Sequence, residues 1–250
     1  MCFSAEASFS VSAVLLPAGA YCVSRAVRGN WRFLPLGIIP IAFSVQQAAE
    51  GFVWLGMSQD HPAMVTWPAV IFLFFALAFW PIWIPLSLLL PENRRPAKRV
   101  LLALVVLSPV WLWLYAPLAI DPDRWLSTTV VRHSIAYEMN SLPALQVAPR
   151  GVWRAGYLVF ICLPLLVARP GTGGNAVRLG AGLLVAALFA VSYLVFWYAF
   201  TSVWCFFAAL VSLLLALAFS RLPGREGSYA GGRPESRSVE IQHRTTPTVS

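Results

Sequence analysis

Apolar runs broken by short polar clusters set the plan of this chain. Residues 7–24, 33–49, 61–91, 100–120, 155–168 and 179–220 contain no Asp, Glu, Lys or Arg, and a helix that crosses a bilayer needs about 20 predominantly apolar residues. The last run is too long for one crossing, since at about 1.5 Å per residue it would reach roughly 63 Å, twice the hydrocarbon thickness. It must fold back on itself, and Thr201 and Ser202 supply a turn whose hydroxyls can cap a new helix. The pattern therefore predicts seven spans, near residues 7–27, 33–57, 63–90, 99–120, 151–168, 178–198 and 203–221. The expected fold class is all-α: a polytopic membrane bundle over residues 1–221, with a loop at 121–150 and a tail at 222–250 rich in Gly, Pro, Ser and Arg.

The polar clusters between the runs orient the bundle. Lys and Arg collect in short cytoplasmic loops. Arg25, Arg28 and Arg32 follow span one, Arg94, Arg95, Lys98 and Arg99 follow span three, Arg169 and Arg178 follow span five, and Arg221 to Arg244 follow span seven. Of the opposite segments only the loop after span four, with Arg124, Arg132 and Arg150 among three acids, carries basic residues, so the N-terminus is expected outside and the C-terminus inside. Composition agrees: 59% of residues are hydrophobic and 11% charged, where soluble domains carry about 25% charged residues. The net charge of +8 sits where topology alone places it, so lipid is the expected partner and nucleic acid is not. The N-terminus lacks the basic region of a cleavable signal, and span one is expected to be retained.

One span breaks the apolar rule. Residues 46–54 read QQAAEGFVW, and Gln46 and Gln47, four and three residues before Glu50, share its helical face. An ionisable residue at this depth costs about 2.5–3.5 kcal/mol on insertion scales, so it must face the bundle interior or a wet cavity. Pro40, lower on the same helix, frees the carbonyl of Leu36. Arg154, near the outer end of span five, either snorkels to headgroups beside Trp153 and Tyr157 or turns inward to pair with Glu50 or to receive an anion. The loop at 121–150 is the only outer segment long enough to cover the bundle. Its alternation from Val130 to Met139 predicts a short strand or hairpin, a candidate lid on which His133 and Tyr137 point the same way. Ser4 is a helix cap, with Glu6 in the first turn. Seven tryptophans, Trp54, Trp111, Trp113, Trp125, Trp153, Trp197 and Trp204, crowd the outer end as an interfacial belt.

The four cysteines form no metal pattern, and no metal or cofactor is expected. Cys22 and Cys162 fill spans one and five, whereas Cys2 and Cys205 both lie toward the outer side, where an oxidising compartment could join them. Lys98, the only lysine, lies in an inner loop, which excludes a retinal Schiff base. His61, His133 and His243 lie in loops or the tail, which argues against intramembrane haem or zinc. No glycine-rich phosphate loop is present.

MCFSAEASF at residues 1–9 (signature MCFSA-x-ASF), LPLGIIPIAFSVQQAAEGFVWL at 34–55 and SVWCFFAAL at 202–210 resemble a bacterial family of uncharacterised multi-pass membrane proteins. The resemblance implies a multi-pass location in the bacterial plasma membrane and carries no activity. The residues themselves point to binding or transport of a small polar or cationic ligand in an outer-facing cavity around Glu50. Two alternatives stand beside that reading. One is a membrane enzyme using Glu50 as general acid or base with His133, Tyr137 or Cys2; the other is a structural subunit in which Glu50 and its glutamines hold helices together.

Overall fold

A computed structural model of the chain describes residues 4–139, 142–169, 175–195 and 199–221. Helix α1 (Ala5–Arg28) opens with the expected cap: the Ser4 hydroxyl accepts the Ala7 N–H at 3.2 Å. A 3-10 turn, Trp31–Phe33, leads into α2 (Leu34–Ser58). Span three is a composite rod, α3 (Pro62–Leu73), a π-helical turn over Phe74–Phe79 and α4 (Trp80–Leu89). Pro81 accounts for the π turn, because it has no N–H to donate and its ring crowds the carbonyl of Leu77. Span four is α5 (Arg95–Leu107) and α6 (Pro109–Ile120), joined at Ser108 where Pro109 starts a new helix. After the short α7 (Pro122–Trp125) come two antiparallel strands, β1 (Ser127–Val131) and β2 (Ser134–Glu138), then α8 (Pro143–Val147) and α9 (Arg150–Val167). Helices α10 (Asn175–Val195), α11 (Phe200–Ser212) and α12 (Leu214–Ser220) complete the described chain.

Among the described residues, six stretches are long and apolar enough to cross a membrane: Ala5–Arg28, Trp31–Ser58, Pro62–Leu89, Arg95–Ile120, Arg150–Val167 and Phe200–Ser220. The expected seventh, 178–198, is shorter. Its described apolar part is Gly182–Val195, because α10 begins with the polar Asn175 and Arg178, and residues 196–198 lie outside the described residues. The reversal also falls earlier than expected. Helix α11 starts at Phe200 after Ala199 and has no side-chain cap, so Thr201 and Ser202 stand inside its first turn with other work to do.

Burial is uneven. In the apolar window of α2, 67% of residues are buried, against 22% for α1 and 28% for Arg95–Ile120. The helix bearing the glutamines and the glutamate is thus the centre of the bundle. Apolar side chains such as Val14, Leu16, Leu102, Val106, Leu107 and Leu217 are exposed on the perimeter, as lipid contact requires. Helices α1 and α2 pack backbone to backbone. A Cβ on Gly19 would stand 2.4 Å from the Ile41 side chain and 2.8 Å from its backbone nitrogen, and Ser12 and Ser44 each donate to the other's carbonyl, at 2.9 and 2.8 Å. Small residues that let helices approach, with hydroxyl bonds across them, are how helices associate where apolar burial gives little drive.

The hairpin and the basic connections lie at opposite ends. Arg25 at the end of α1 donates to the carbonyl of Phe219 in α12 at 3.3 Å, and the loop between α4 and α5 meets the end of α9. The hairpin packs against α11, and Ile135 of β2 joins Val53 of α2 and Ala69 of α3 in a buried cluster.

Candidate functional site

Gln46, Gln47 and Glu50 are all fully buried, each 0% exposed. The expectation that the bundle must enclose them is met by partners from distant spans. Ser202 Oγ donates to Glu50 Oε1 at 2.5 Å. Trp80 Nε1 donates to Gln46 Oε1 at 2.7 Å, and the Trp80 ring stacks on Phe43 at 3.8 Å, one turn before Gln46 and Gln47. Cys205, one turn beyond Ser202 on α11, lies buried against Gln46 and Glu50. Its expected disulfide partner, Cys2, lies outside the described residues. The amide of Gln47 and the hydroxyl of Ser8 have no hydrogen-bond partner among the described residues.

A cavity of about 390 Å³ opens at the hairpin end, within the range of about 300–1,000 Å³ usual for small-molecule sites. Its wall is mainly apolar and rich in aromatic rings: Trp111 from α6, Trp153 and Tyr157 from α9, Phe189 from α10, and Phe200 and Trp204 from α11. The π turn adds Ala76 and Leu77, and β2 adds Tyr137 and Glu138. Arg150, Arg154 and Thr201 complete its polar lining.

Arg154 lines the cavity and does not pair with Glu50. Its guanidinium lies 5.2 Å from the Tyr193 ring centre and 5.6 Å from that of Phe200, held at the cavity wall by aromatic faces. Tyr137 also lines the cavity, stacked on Phe72 with ring centres 4.9 Å apart. His133 parts company with it. Arg132 and His133 form the two-residue hairpin turn, both with positive φ (47° and 61°), so the alternation restarts after the turn and His133 stays exposed outside the cavity. Gln46, Gln47 and Glu50 do not line the cavity either. They lie one residue behind its wall, since Thr201 lines it and the next residue, Ser202, binds Glu50.

The chain belongs to DUF6629, a family of unknown function. The family model matches residues 1–228, a span that takes in the cavity and the polar face of α2. No curated protein and no solved structure matches the chain.

This DUF6629 member has a second polar centre, at its basic end, that sequence reasoning passed over. Glu92 is 1% exposed. Its carboxylate accepts the N–H groups of Asn93 (3.0 Å), Arg94 (2.9 Å) and Arg169 (2.6 Å) and the side chain of Arg94 (3.2 and 3.3 Å). Arg94 also donates to the carbonyl of Val167. Burial pushes the Glu92 carboxyl up, but the two arginine backbone N–H groups and the Arg94 guanidinium together outweigh it and hold the group below its ordinary value. The available signal was PENRR, one acid at a helix exit followed by arginines. The cavity's signal was fainter: Arg150 and Arg154, four residues apart, open α9 with no acid in its first turn.

Proposed function

We propose that the protein is a seven-span ligand-binding protein of a bacterial plasma membrane, with the hairpin end outside and the basic end in the cytoplasm. Arg25, Arg28, Arg94, Arg95, Lys98, Arg99 and Arg169 at the ends away from the hairpin support that orientation. The seventh span of this reading is α10, 21 residues long, with its apolar part at Gly182–Val195. The single observation that carries the binding reading is the cavity under the hairpin, walled by aromatic rings from four helices and edged by two arginines.

Binding suits this geometry better than acid–base catalysis. Glu50 is bonded to Ser202 and does not line the cavity, and His133 is on the far side of the turn. The carboxylate therefore serves to hold α11 against α2, while the cavity receives the ligand. Leu145 of α8 lines the cavity, so Leu145→Trp tests the reading by filling it. Native mass spectrometry of wild type and variant, gently solubilised, is the measurement. A small molecule retained by wild type and lost from the variant supports binding. Equal spectra from the two, with equal stability, would leave the structural role of the bundle as the better reading.

A further inference from the structure

We propose that the cavity selects an oxyanion carried on an apolar body, and that Arg154 is the group that binds the oxyanion. The inference rests on the binding reading above and names its ligand class. Three independent features make the polar edge of this cavity electropositive. First, Arg154 makes no ion pair or hydrogen bond to any described residue. The guanidinium carbon lies over the Tyr193 and Phe200 rings, which holds the cation in place without using its five N–H donors. A fork so held is preorganised for two-point contact with a carboxylate or phosphate.

Second, Arg150 and Arg154 both line the cavity from the first turns of α9, an 18-residue helix with no acid in its first turn. Helix N-termini favour anions. Two arginines placed there oppose the local electrostatics and gain from an anion that answers both the side chains and the helix end. Third, Trp111, 2% exposed, lines the same cavity, and its Nε1–H has no partner among the described residues. Glu138 is the one acid in the lining, exposed at the rim; it leaves two cations against one anion. The rest of the wall is mainly aromatic and aliphatic side chains, which calls for an apolar body behind the anionic head. A cationic ligand, the class first expected from Glu50, meets the wrong charge here.

The test uses full-length protein in nanodiscs and three probes of one shape: naphthoate, naphthylmethanol and naphthylmethylammonium. Affinities are read from tryptophan quenching, since Trp111, Trp153 and Trp204 line the cavity. Wild type should bind naphthoate at least about tenfold tighter than the alcohol, the worth of one charge-assisted contact, and the ammonium most weakly. Arg154→Gln should erase the preference for naphthoate while leaving the alcohol unchanged, Arg154→Lys should keep part of it, and Leu145→Trp should weaken all three. Thermal unfolding of each variant separates loss of binding from loss of fold. Equal affinities for the three probes, or a preference that survives Arg154→Gln, would overturn the oxyanion inference and leave the cavity reading standing. No binding of any probe, with nothing retained by wild type in native mass spectrometry, would overturn both. Nanodiscs with and without phosphatidylglycerol identify the source: competition with naphthoate indicates a lipid headgroup, and its absence a free anion, either one supporting the proposal.

Discussion

Replacing Glu92 gives the sharpest prediction, because its surroundings are specified atom by atom. The carboxylate joins the loop between α4 and α5 to the end of α9 through three backbone N–H groups and one arginine. In Glu92→Gln the amide oxygen keeps the bonds to Asn93 and Arg94. The amide NH₂ then replaces Oε2 and faces both the Arg169 N–H and the Arg94 Nη2 group, donor against donor. Losing a charge-assisted bond costs about 1.5–3 kcal/mol and stranding a buried donor about 1–3 kcal/mol. The Arg94 side chain is 37% exposed, so its ion pair adds at most about 1 kcal/mol. The lost bond and the stranded donor occur at the same atoms and overlap, so about 2–4 kcal/mol is expected for Gln and about 3–5 kcal/mol for Ala, which leaves the arginine without its partner. Equilibrium unfolding in mixed micelles, followed by tryptophan fluorescence, measures it. The folded carboxyl lies below its unfolded value, so its contribution is complete above that value and is lost as pH falls from about 4 downward. The wild-type advantage over Gln should therefore shrink in acid. A gap under about 0.5 kcal/mol at neutral pH, or one that persists unchanged in acid, would refute the reasoning.

Three further outcomes follow from other contacts. Ser202→Ala removes the donor to a fully buried carboxylate oxygen and should cost about 1–3 kcal/mol; Glu50→Gln should cost less in the same unfolding assay, because the hydroxyl can still donate to the amide oxygen. Gly19→Leu drives a side chain into Ile41 and should destabilise by about 1–3 kcal/mol or more, with loss of folded protein on size-exclusion chromatography. Arg132→Asn combined with His133→Gly suits the positive φ values of the turn and should stabilise by about 0.4–1 kcal/mol, with naphthoate affinity unchanged because His133 is outside the cavity.

Six of the seven expected spans were legible as long apolar helices, because in lipid every backbone group must be bonded within a helix and apolar length alone reveals such segments. The Ser4 cap and the burial of the α2 polar face were legible for the same local reasons. What failed to show was whatever depends on two distant segments meeting. Ser202 looked like a cap because hydroxyls at helix starts usually are, and its partner Glu50 stands 152 residues away. Arg154 was left between headgroups, Glu50 and an anion because nothing in its own helix announces Tyr193 and Phe200. His133 and Tyr137 looked parallel because a period of two does not say where a hairpin turns.

The separation between polar face and cavity has a physical logic of its own. An amide pair and a carboxylate lining a wet cavity would satisfy themselves with water and contribute little to the fold. Drawn behind the wall, Gln46 binds Trp80 and Glu50 binds Ser202 in a low-dielectric core where each bond counts for more. Helix α11 then does two things at once: Ser202 locks it to α2, and the preceding Thr201, with Phe200 and Trp204, forms the cavity wall. The contacts that fix the bundle also fix the aromatic surface against which Arg154 is held. A substitution confined to the core, such as Ser202→Ala, is therefore expected to weaken naphthoate binding without touching the probe, and weakening in proportion across all three probes would distinguish a displaced wall from a lost anion contact.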